Sequence, residues 1–155
     1  MEKDRFSILP RLDLASLYKK EGNRIEAKKL LYDVLDIDPK NEIALVTLLK
    51  NYTEEGDKEK SLEICGKLFR YSNNPRALTN IGILFSFYQW DEEAIKSLSK
   101  AIRSNQTSTD AYWELGRVYI KGKEFEKARA IWEEGFKIDP EDMRFKQALG
   151  RYKKP

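Results

Sequence analysis

Few side chains in this sequence could support catalysis. The 155-residue chain has no histidine, so the commonest general acid–base group and metal ligand is missing. Its one cysteine, Cys65, falls at an apolar position of a helical pattern, where a small buried side chain is commoner than a nucleophile. The pairs Glu92-Glu93 and Glu133-Glu134 are adjacent in sequence and would point apart on a helix. Since no phosphate loop or metal-ligand spacing occurs either, we predict a non-enzyme without a metal or cofactor.

A second group of residues could recognise a partner instead of transforming it. These residues are basic, apolar or aromatic, which suits an acidic protein segment held by ion pairs and an apolar anchor. They are Lys19, Lys20, Lys50, Arg76, Ile83, Phe87, Trp113, Arg117, Lys121 and Arg144. They lie far apart in sequence, so they can form one site only if the fold brings equivalent positions together.

A repeat of 33 or 34 residues provides such equivalent positions. An apolar column contains Leu14, Leu48, Ile81, Leu115 and Leu149. The next residue is often small: Ala15, Leu49, Gly82, Gly116 and Gly150. Three positions further on stands an aromatic residue: Tyr18, Tyr52, Phe85 and Tyr119. Four repeating units, followed by the start of a fifth, are therefore predicted.

The spacing inside each unit predicts two helices. Apolar residues recur every three to four positions, which is the period of a helix and not of a strand. The predicted helices span 9–21, 24–37, 42–54, 58–71, 75–87, 91–104, 109–121, 125–138 and 141–152. Gly22, Gly56 and Gly122 occupy three of the four turns within pairs, where a glycine commonly ends a helix. In the remaining turn, Asp91 is predicted to be an N-cap.

Two glycines inside helices point to close packing. Gly82 and Gly116 lie mid-helix, where glycine costs about 1 kcal/mol relative to alanine. We therefore expect two helix backbones to cross too closely there for a larger side chain.

These columns resemble the tetratricopeptide repeat, whose pattern is W-x2-L-G-x2-Y…A-x3-F…P. The fourth unit matches best, through Tyr112, Leu115, Gly116, Tyr119, Ala128, Trp132 and Pro140. The second and third units depart from it, with Leu49 and Ser61 in small-residue columns and no closing proline. The resemblance covers residues 8–142. It implies an all-α fold: a right-handed α-solenoid of four antiparallel helix pairs plus a capping helix.

The domain limits follow from the same resemblance. One domain of residues 1–155 is expected, with repeats at about 8–41, 42–74, 75–108 and 109–142 and a capping helix at 143–155. One column is apolar in the middle units, at Leu45, Leu78 and Tyr112, but Arg11 and Lys146 at the two ends. Because terminal repeats need polar outer faces, we expect the array to end here.

The family resemblance implies a protein-binding scaffold or adaptor, with a concave groove lined by the first helix of each pair. The 23 positions predicted to face that groove hold eight basic and two acidic residues, a charge of +6 against +3 for the whole chain. The predicted partner is therefore an acidic protein or peptide, with Trp113 and Phe87 as the apolar floor and Lys50, Arg76 and Arg117 as charged contacts.

Other partner classes fit the residues less well. The small net charge does not favour nucleic acid, although the segment 128–132 resembles the half-a-tetratricopeptide repeats of RNA-processing factors. An RNA-associated repeat and a structural spacer remain the alternatives. No run of about 18 apolar residues occurs and the N-terminus lacks a signal-peptide pattern, so no membrane partner and a cytoplasmic location are predicted.

Chaperone-adaptor members of the family grip a C-terminal carboxylate with Lys, Asn, Asn, Lys and Arg spread over three units. The equivalent positions here are Leu12, Ser16, Thr47, Arg76 and Asn80, or, one unit later, Val46, Lys50, Asn80, Asp110 and Glu114. Neither set supplies the clamp. A chaperone tail is therefore not the expected partner.

Overall fold

The computed structural model describes residues 7–152. Within that range the chain forms nine helices and no strand. They are α1 (Ile8–Lys20), α2 (Arg24–Ile37), α3 (Glu42–Glu54), α4 (Lys58–Tyr71), α5 (Pro75–Phe87), α6 (Asp91–Ser104), α7 (Thr109–Lys121), α8 (Phe125–Ile138) and α9 (Met143–Arg151). The all-α prediction is confirmed. None of the described helices is long and apolar enough to cross a membrane.

The helix bounds agree closely with those predicted from the pattern. Helices α2 to α8 begin and end at the predicted residues, and α1 begins and ends one residue earlier. Helix α9 is shorter than predicted because its N-cap is Asp142, whose side chain accepts a hydrogen bond from the Arg144 amide. The last part of the predicted capping helix, residues 153–155, lies outside the described residues.

The chain divides into two compact units, Met1–Ser72 and Asn73–Pro155. In the first, α1 packs on α2, α2 on α3, and α3 on α4. In the second, the same succession runs from α5 to α8, and α9 covers α8. Each unit is thus two stacked helix pairs, joined within each pair by a turn of three residues. The prediction that residues 1–155 form a single domain stays a prediction.

The core of the first unit is less complete than that of the second. Helix α1 contributes only Ala15 as a buried residue, while Leu14 and Leu17 are 39% and 50% exposed. On α3, Asn51 is buried, and neither its side-chain nitrogen nor its oxygen has a hydrogen-bond partner. A buried amide without partners costs about 1–3 kcal/mol. The buried side chain of Asn51 therefore lowers the stability of the first unit.

In the second unit, large side chains from second helices rest on the glycines of first helices. A Cβ on Gly82 would lie 2.5 Å from Leu98 Cγ, and one on Gly116 would overlap the indole of Trp132. The expected crossing of two backbones is therefore wrong, because a side chain fills the space above each glycine. Gly135 on α8 has the same role for Phe145.

Each turn within a helix pair contains one residue with a left-handed backbone conformation, and these residues occupy the same column of the repeat. Its members have φ between +61° and +86°: Gly22, Gly56, Gln89 and Lys123. Gly122 directly follows the end of α7, as predicted, but its φ is −75° and the left-handed residue is Lys123, the one after it. The prediction that Asp91 is an N-cap is wrong, since Asp91 is the first residue of α6 and the cap position is Trp90.

Candidate partner-binding site

A cavity of about 380 Å³ opens between α7, α8 and α9 of the second unit. Its floor is Trp113, whose ring stacks on that of Trp132 at 5.3 Å and meets that of Phe145 edge-on at 5.8 Å. The Trp132 indole N–H also donates to the Trp113 carbonyl at 3.1 Å. These contacts fix the Trp113 indole in place, so the cavity presents an ordered aromatic surface. The lining consists of Trp113, Arg117, Ile120, Lys121, Trp132, Arg144, Gln147, Ala148, Arg151 and Tyr152.

Three arginines surround this aromatic floor. Arg117 keeps 60% of its side chain exposed and pairs with Glu114, one turn earlier on α7, at 3.0 Å. The guanidinium of Arg144 lies 5.7 Å from the Trp113 ring, within the range of a cation–π contact. Arg151 is exposed and lies over the ring of Tyr152 at 5.8 Å. The rim therefore offers planar, multiply donating groups that suit carboxylates.

Arg144 is oriented by two carboxylates. Its guanidinium donates to Asp142 at 2.7 Å and to Asp110 at 2.9 Å. The hydrogen bonds from Arg144 hold the pKa of Asp142 below its ordinary value, and those with Asp142 raise the pKa of Arg144. Both groups therefore stay charged at neutral pH. Because the Arg144 guanidinium already donates to Asp110 and Asp142, its charge is largely compensated within the protein. Its main effect is therefore to fix the shape of the rim.

Lys121 also lines the cavity, but its ammonium group is engaged. It donates to the Ser86 carbonyl at 2.7 Å and to the Asp91 carboxylate at 2.8 Å. These bonds connect the end of α7 to the end of α5 and the start of α6. Lys121 is thus a link between neighbouring helix pairs, and its charge is compensated within the protein.

The other predicted residues lie elsewhere. Arg76 and Ile83 line a second cavity of about 570 Å³ in the same unit, together with Thr79, Asn80, Ser108, Asp110 and Glu114. Phe87 lines neither cavity and is 78% exposed. Lys19, Lys20 and Lys50 belong to the first unit, where Lys19 and Lys50 pair with Glu54. The structure thus brings together Trp113, Arg117, Lys121 and Arg144.

The charge count from the sequence omitted carboxylates that contact these cations. In the second unit the predicted face holds five cations, Arg76, Arg117, Lys121, Arg144 and Arg151. Asp110 belongs to that face, but Asp91, Glu114 and Asp142 reach its cations from neighbouring positions. Five positive and four negative groups leave a net charge of +1. Arg117 and Arg151, being more exposed than Arg144, are the cations most available to a ligand.

Some of the lining was not assigned to the site from sequence. Trp132 was assigned to a packing column of the repeat, and Ala148 and Tyr152 were not singled out. The Tyr152 ring lies 5.8 Å from that of Trp132, so it closes one side of the cavity. The signal that could have found them is the shortness of α9, which is a single helix and leaves part of α7 and α8 open.

Comparisons with known proteins agree on one family. Two family models described as "Tetratricopeptide repeat" match residues 11–41 and 92–152. Tetratricopeptide repeat protein 6 of Homo sapiens is 26% identical over 108 residues, which are 70% of this chain and 21% of that protein. The chain thus spans about a fifth of the length of this relative.

Solved structures are similar over almost the whole chain. The crystal structure of MamA protein is 26% identical, covers 98% of this chain and 82% of its own, and has a TM-score of 0.69. A tetratricopeptide repeat protein from Parabacteroides merdae ATCC 43184 is 16% identical, covers 94% and 59%, and has a TM-score of 0.70. The second likeness shows the fold alone.

Proposed function

The chain belongs to the tetratricopeptide repeat family, and from that premise we propose that it is a non-catalytic scaffold whose second unit binds an acidic protein segment. Members of the family generally mediate protein–protein interactions. The segment inserts an apolar or aromatic side chain over Trp113, and its carboxylates pair with Arg117 and Arg151. The proposed site is the cavity around Trp113 in the second unit, whereas the sequence analysis predicted a groove along all four repeats.

The observation that supports this proposal is the combination of a fixed indole floor with an arginine rim in one cavity. Its volume of about 380 Å³ lies in the range of small ligand sites. The stacking of Trp113 on Trp132 means that little side-chain entropy is lost when a ligand binds. Arginine suits a carboxylate partner because its fork donates two parallel hydrogen bonds. Since much of the rim charge is already compensated, we expect an affinity on the order of 10–100 μM.

Three short peptides test the proposal. The first is Ac-Gly-Asp-Glu-Asp-Phe-Glu-Asp-Glu-Gly-NH2, the second has alanine for phenylalanine, and the third keeps phenylalanine but has Lys and Arg for the acidic residues. The readout is the three tryptophan indole N–H signals in a proton–nitrogen correlation spectrum, because the chain has three tryptophans. The acidic phenylalanine peptide should shift the Trp113 signal, and the alanine peptide should bind at least about fivefold more weakly.

Two variants and a control locate the contact. Arg117→Glu should weaken binding of the acidic peptide about tenfold, because a salt contact becomes a repulsion. Trp113→Ala should remove the Trp113 signal and the binding, provided that circular dichroism shows an intact fold. Arg103→Glu is the matched control, since Arg103 is an exposed arginine on α6 that lines neither cavity. Binding that survives Arg117→Glu, or tighter and more salt-dependent binding of an oligouridylate, contradicts the proposal.

A further inference from the structure

The turn between α5 and α6 carries a group of aromatic residues that the cavity does not use. Four of the six residues from 85 to 90 are aromatic. The turns of the first two repeats are Glu21-Gly22-Asn23 and Glu55-Gly56-Asp57 at the same register. Phe87 is 78% exposed, and Ile83, one helical turn earlier, is 41% exposed. This turn is therefore an apolar surface where its equivalents are polar.

The aromatic rings form a continuous series of contacts from the core to the surface. The buried Phe85 ring lies 5.6 Å from that of Trp90, and the Trp90 ring lies 6.3 Å from that of Tyr88. The Tyr88 ring in turn meets Phe87 edge-on at 5.2 Å. Phe87 is thus held by a ring contact to a residue that is anchored in the core. An exposed aromatic side chain held in this way loses little freedom when a partner covers it.

The backbone of the turn is strained to place these rings. Gln89 lies between Tyr88 and Trp90 and has φ of +64°, a left-handed conformation that costs a residue with a Cβ about 1 kcal/mol. Lys123 has the same conformation between the non-aromatic residues Gly122 and Glu124, so strain alone does not distinguish this turn. What distinguishes it is that a strained residue separates two aromatic rings that contact each other.

The charges beside this turn decide what can cover it. Asp91, Glu92 and Glu93 form the first turn of α6, directly after Trp90. Asp91 is bonded to Lys121, which also donates to the Ser86 carbonyl. Glu92, the next residue, is an exposed carboxylate two positions after Trp90, so it adds a negative charge beside the aromatic surface. A second copy would bring equal negative charges together, and an anionic membrane would be repelled.

We propose that Ile83, Phe87 and Tyr88 form a second docking surface, for a protein segment that carries an apolar side chain next to Lys or Arg. The apolar side chain covers Phe87 and Ile83, and the basic group pairs with Glu92, which is exposed. This site goes beyond the proposed function, because its ligand has the opposite charge and its residues do not line the cavity around Trp113. With both sites, the second unit can hold two unlike segments at once.

The basic phenylalanine peptide of the panel above is the probe for this surface. It should shift the indole signal of Trp90, which contacts Tyr88, and leave that of Trp113 unchanged. The signal is assigned with Trp90→Phe. Phe87→Ala should weaken binding about tenfold and Glu92→Lys about threefold or more. Phe87 and Glu92 are both exposed, so neither change threatens the fold.

Matched controls exist for both changes. Ile25→Ala removes an apolar side chain that is 77% exposed, in the first unit. Glu126→Lys reverses an exposed charge at the position of α8 that corresponds to Glu92 in α6. Neither control should alter the affinity for the basic peptide. Loss of binding in the controls as large as in the variants contradicts the proposal.

The remaining outcomes separate this surface from its competitors. Equal shifts of Trp90 by the acidic and basic peptides would show that charge does not select the ligand, and the proposal fails. A Trp90 shift that grows with protein concentration alone assigns the surface to a second copy, and binding to phosphatidylglycerol vesicles assigns it to a membrane. Either result overturns the proposal. If the acidic phenylalanine peptide does not bind but the basic one shifts the Trp90 signal, the proposed site around Trp113 is wrong and the proposal for this surface stands.

Discussion

Single residues in the four turns show how a repeat can keep a backbone shape while its sequence changes. The left-handed position is glycine in the first two repeats, at φ of +86° and +76°, but Gln89 and Lys123 in the other two. Glycine adopts this conformation without the clash between Cβ and the carbonyl oxygen that other residues suffer. The last two turns therefore hold a strain that the first two avoid.

We expect Lys123→Gly to raise the free energy of unfolding by about 0.5–1 kcal/mol, because relief of the clash exceeds the entropy that glycine adds to the unfolded chain. Urea denaturation of the variant measures the change. Gly122→Ala is the paired control: φ there is −75° and a Cβ meets no atom closer than 3.6 Å, so stability should not fall. A destabilised Gly122→Ala, with no gain in stability from Lys123→Gly, would instead place the left-handed residue at Gly122 and contradict this expectation.

The same turn shows what sequence alone cannot resolve. The pattern places a glycine in three of four turns, yet Gly122 is one position too early for the left-handed residue. A one-residue offset changes no apolar column, so the periodicity does not detect it. The engagement of Lys121 by Asp91 and of Arg144 by Asp142 was hidden for a similar reason, because these two carboxylates lie outside the predicted groove face.

At the scale of helices, prediction succeeded where one periodic face was buried. Seven helices begin and end at their predicted residues, because each has a clear apolar stripe between turn residues. The contact of one helix with the next was predicted less well. Gly82 and Gly116 were correctly singled out, but the groups above them are the side chains of Leu98 and Trp132. A glycine in the sequence shows that space is needed and does not show what fills it.

We expect Gly116→Ala to destabilise the second unit by about 1–3 kcal/mol, since the new Cβ would overlap Trp132. Trp132 cannot move away easily, because it stacks on Trp113 and donates to its carbonyl. Gly82→Ala should cost less, because a leucine can change rotamer more readily than a stacked indole. Thermal unfolding followed by tryptophan fluorescence measures both changes.

The control for these variants is a glycine with open space above it. Gly66 is exposed within α4, and a Cβ there would meet no atom within 4 Å. Gly66→Ala should therefore stabilise the chain by up to about 1 kcal/mol through helix propensity alone. If Gly116→Ala is also stabilising, the contact with Trp132 does not constrain that position.

At the scale of the whole molecule, the two compact units differ in how well their cores are satisfied. In the first unit Asn51 is buried without a hydrogen-bond partner and α1 leaves Leu14 and Leu17 partly exposed. In the second unit, the residues that correspond to Asn51 are Leu84 and Val118, which are apolar, and Val118 is 3% exposed. In helical repeats, stability is a sum of local terms, so such a difference appears as a difference between regions of the chain.

The tryptophans allow the two units to be observed separately. Trp90, Trp113 and Trp132 all lie in the second unit, whereas far-ultraviolet circular dichroism reports helices of both. We expect the dichroism signal to begin its loss at a lower urea concentration than the fluorescence signal, because the first unit carries the liability at Asn51. Two transitions that do not coincide also mean that a single unfolding free energy does not describe the chain.

Replacing the amide tests the cause of that difference. Asn51→Val removes the buried amide atoms that lack partners and should raise the free energy of unfolding of the first unit by about 1–3 kcal/mol. The early dichroism transition should therefore move to a higher urea concentration, while the fluorescence midpoint stays unchanged. Thr53→Val is the matched control: Thr53 is buried on the same helix, but its hydroxyl donates to the Leu49 carbonyl at 2.7 Å. Removing that satisfied hydroxyl should give no comparable gain. Coincident transitions that Asn51→Val shifts together would instead mean that the two units unfold as one cooperative structure, with the cost of Asn51 shared by the whole chain.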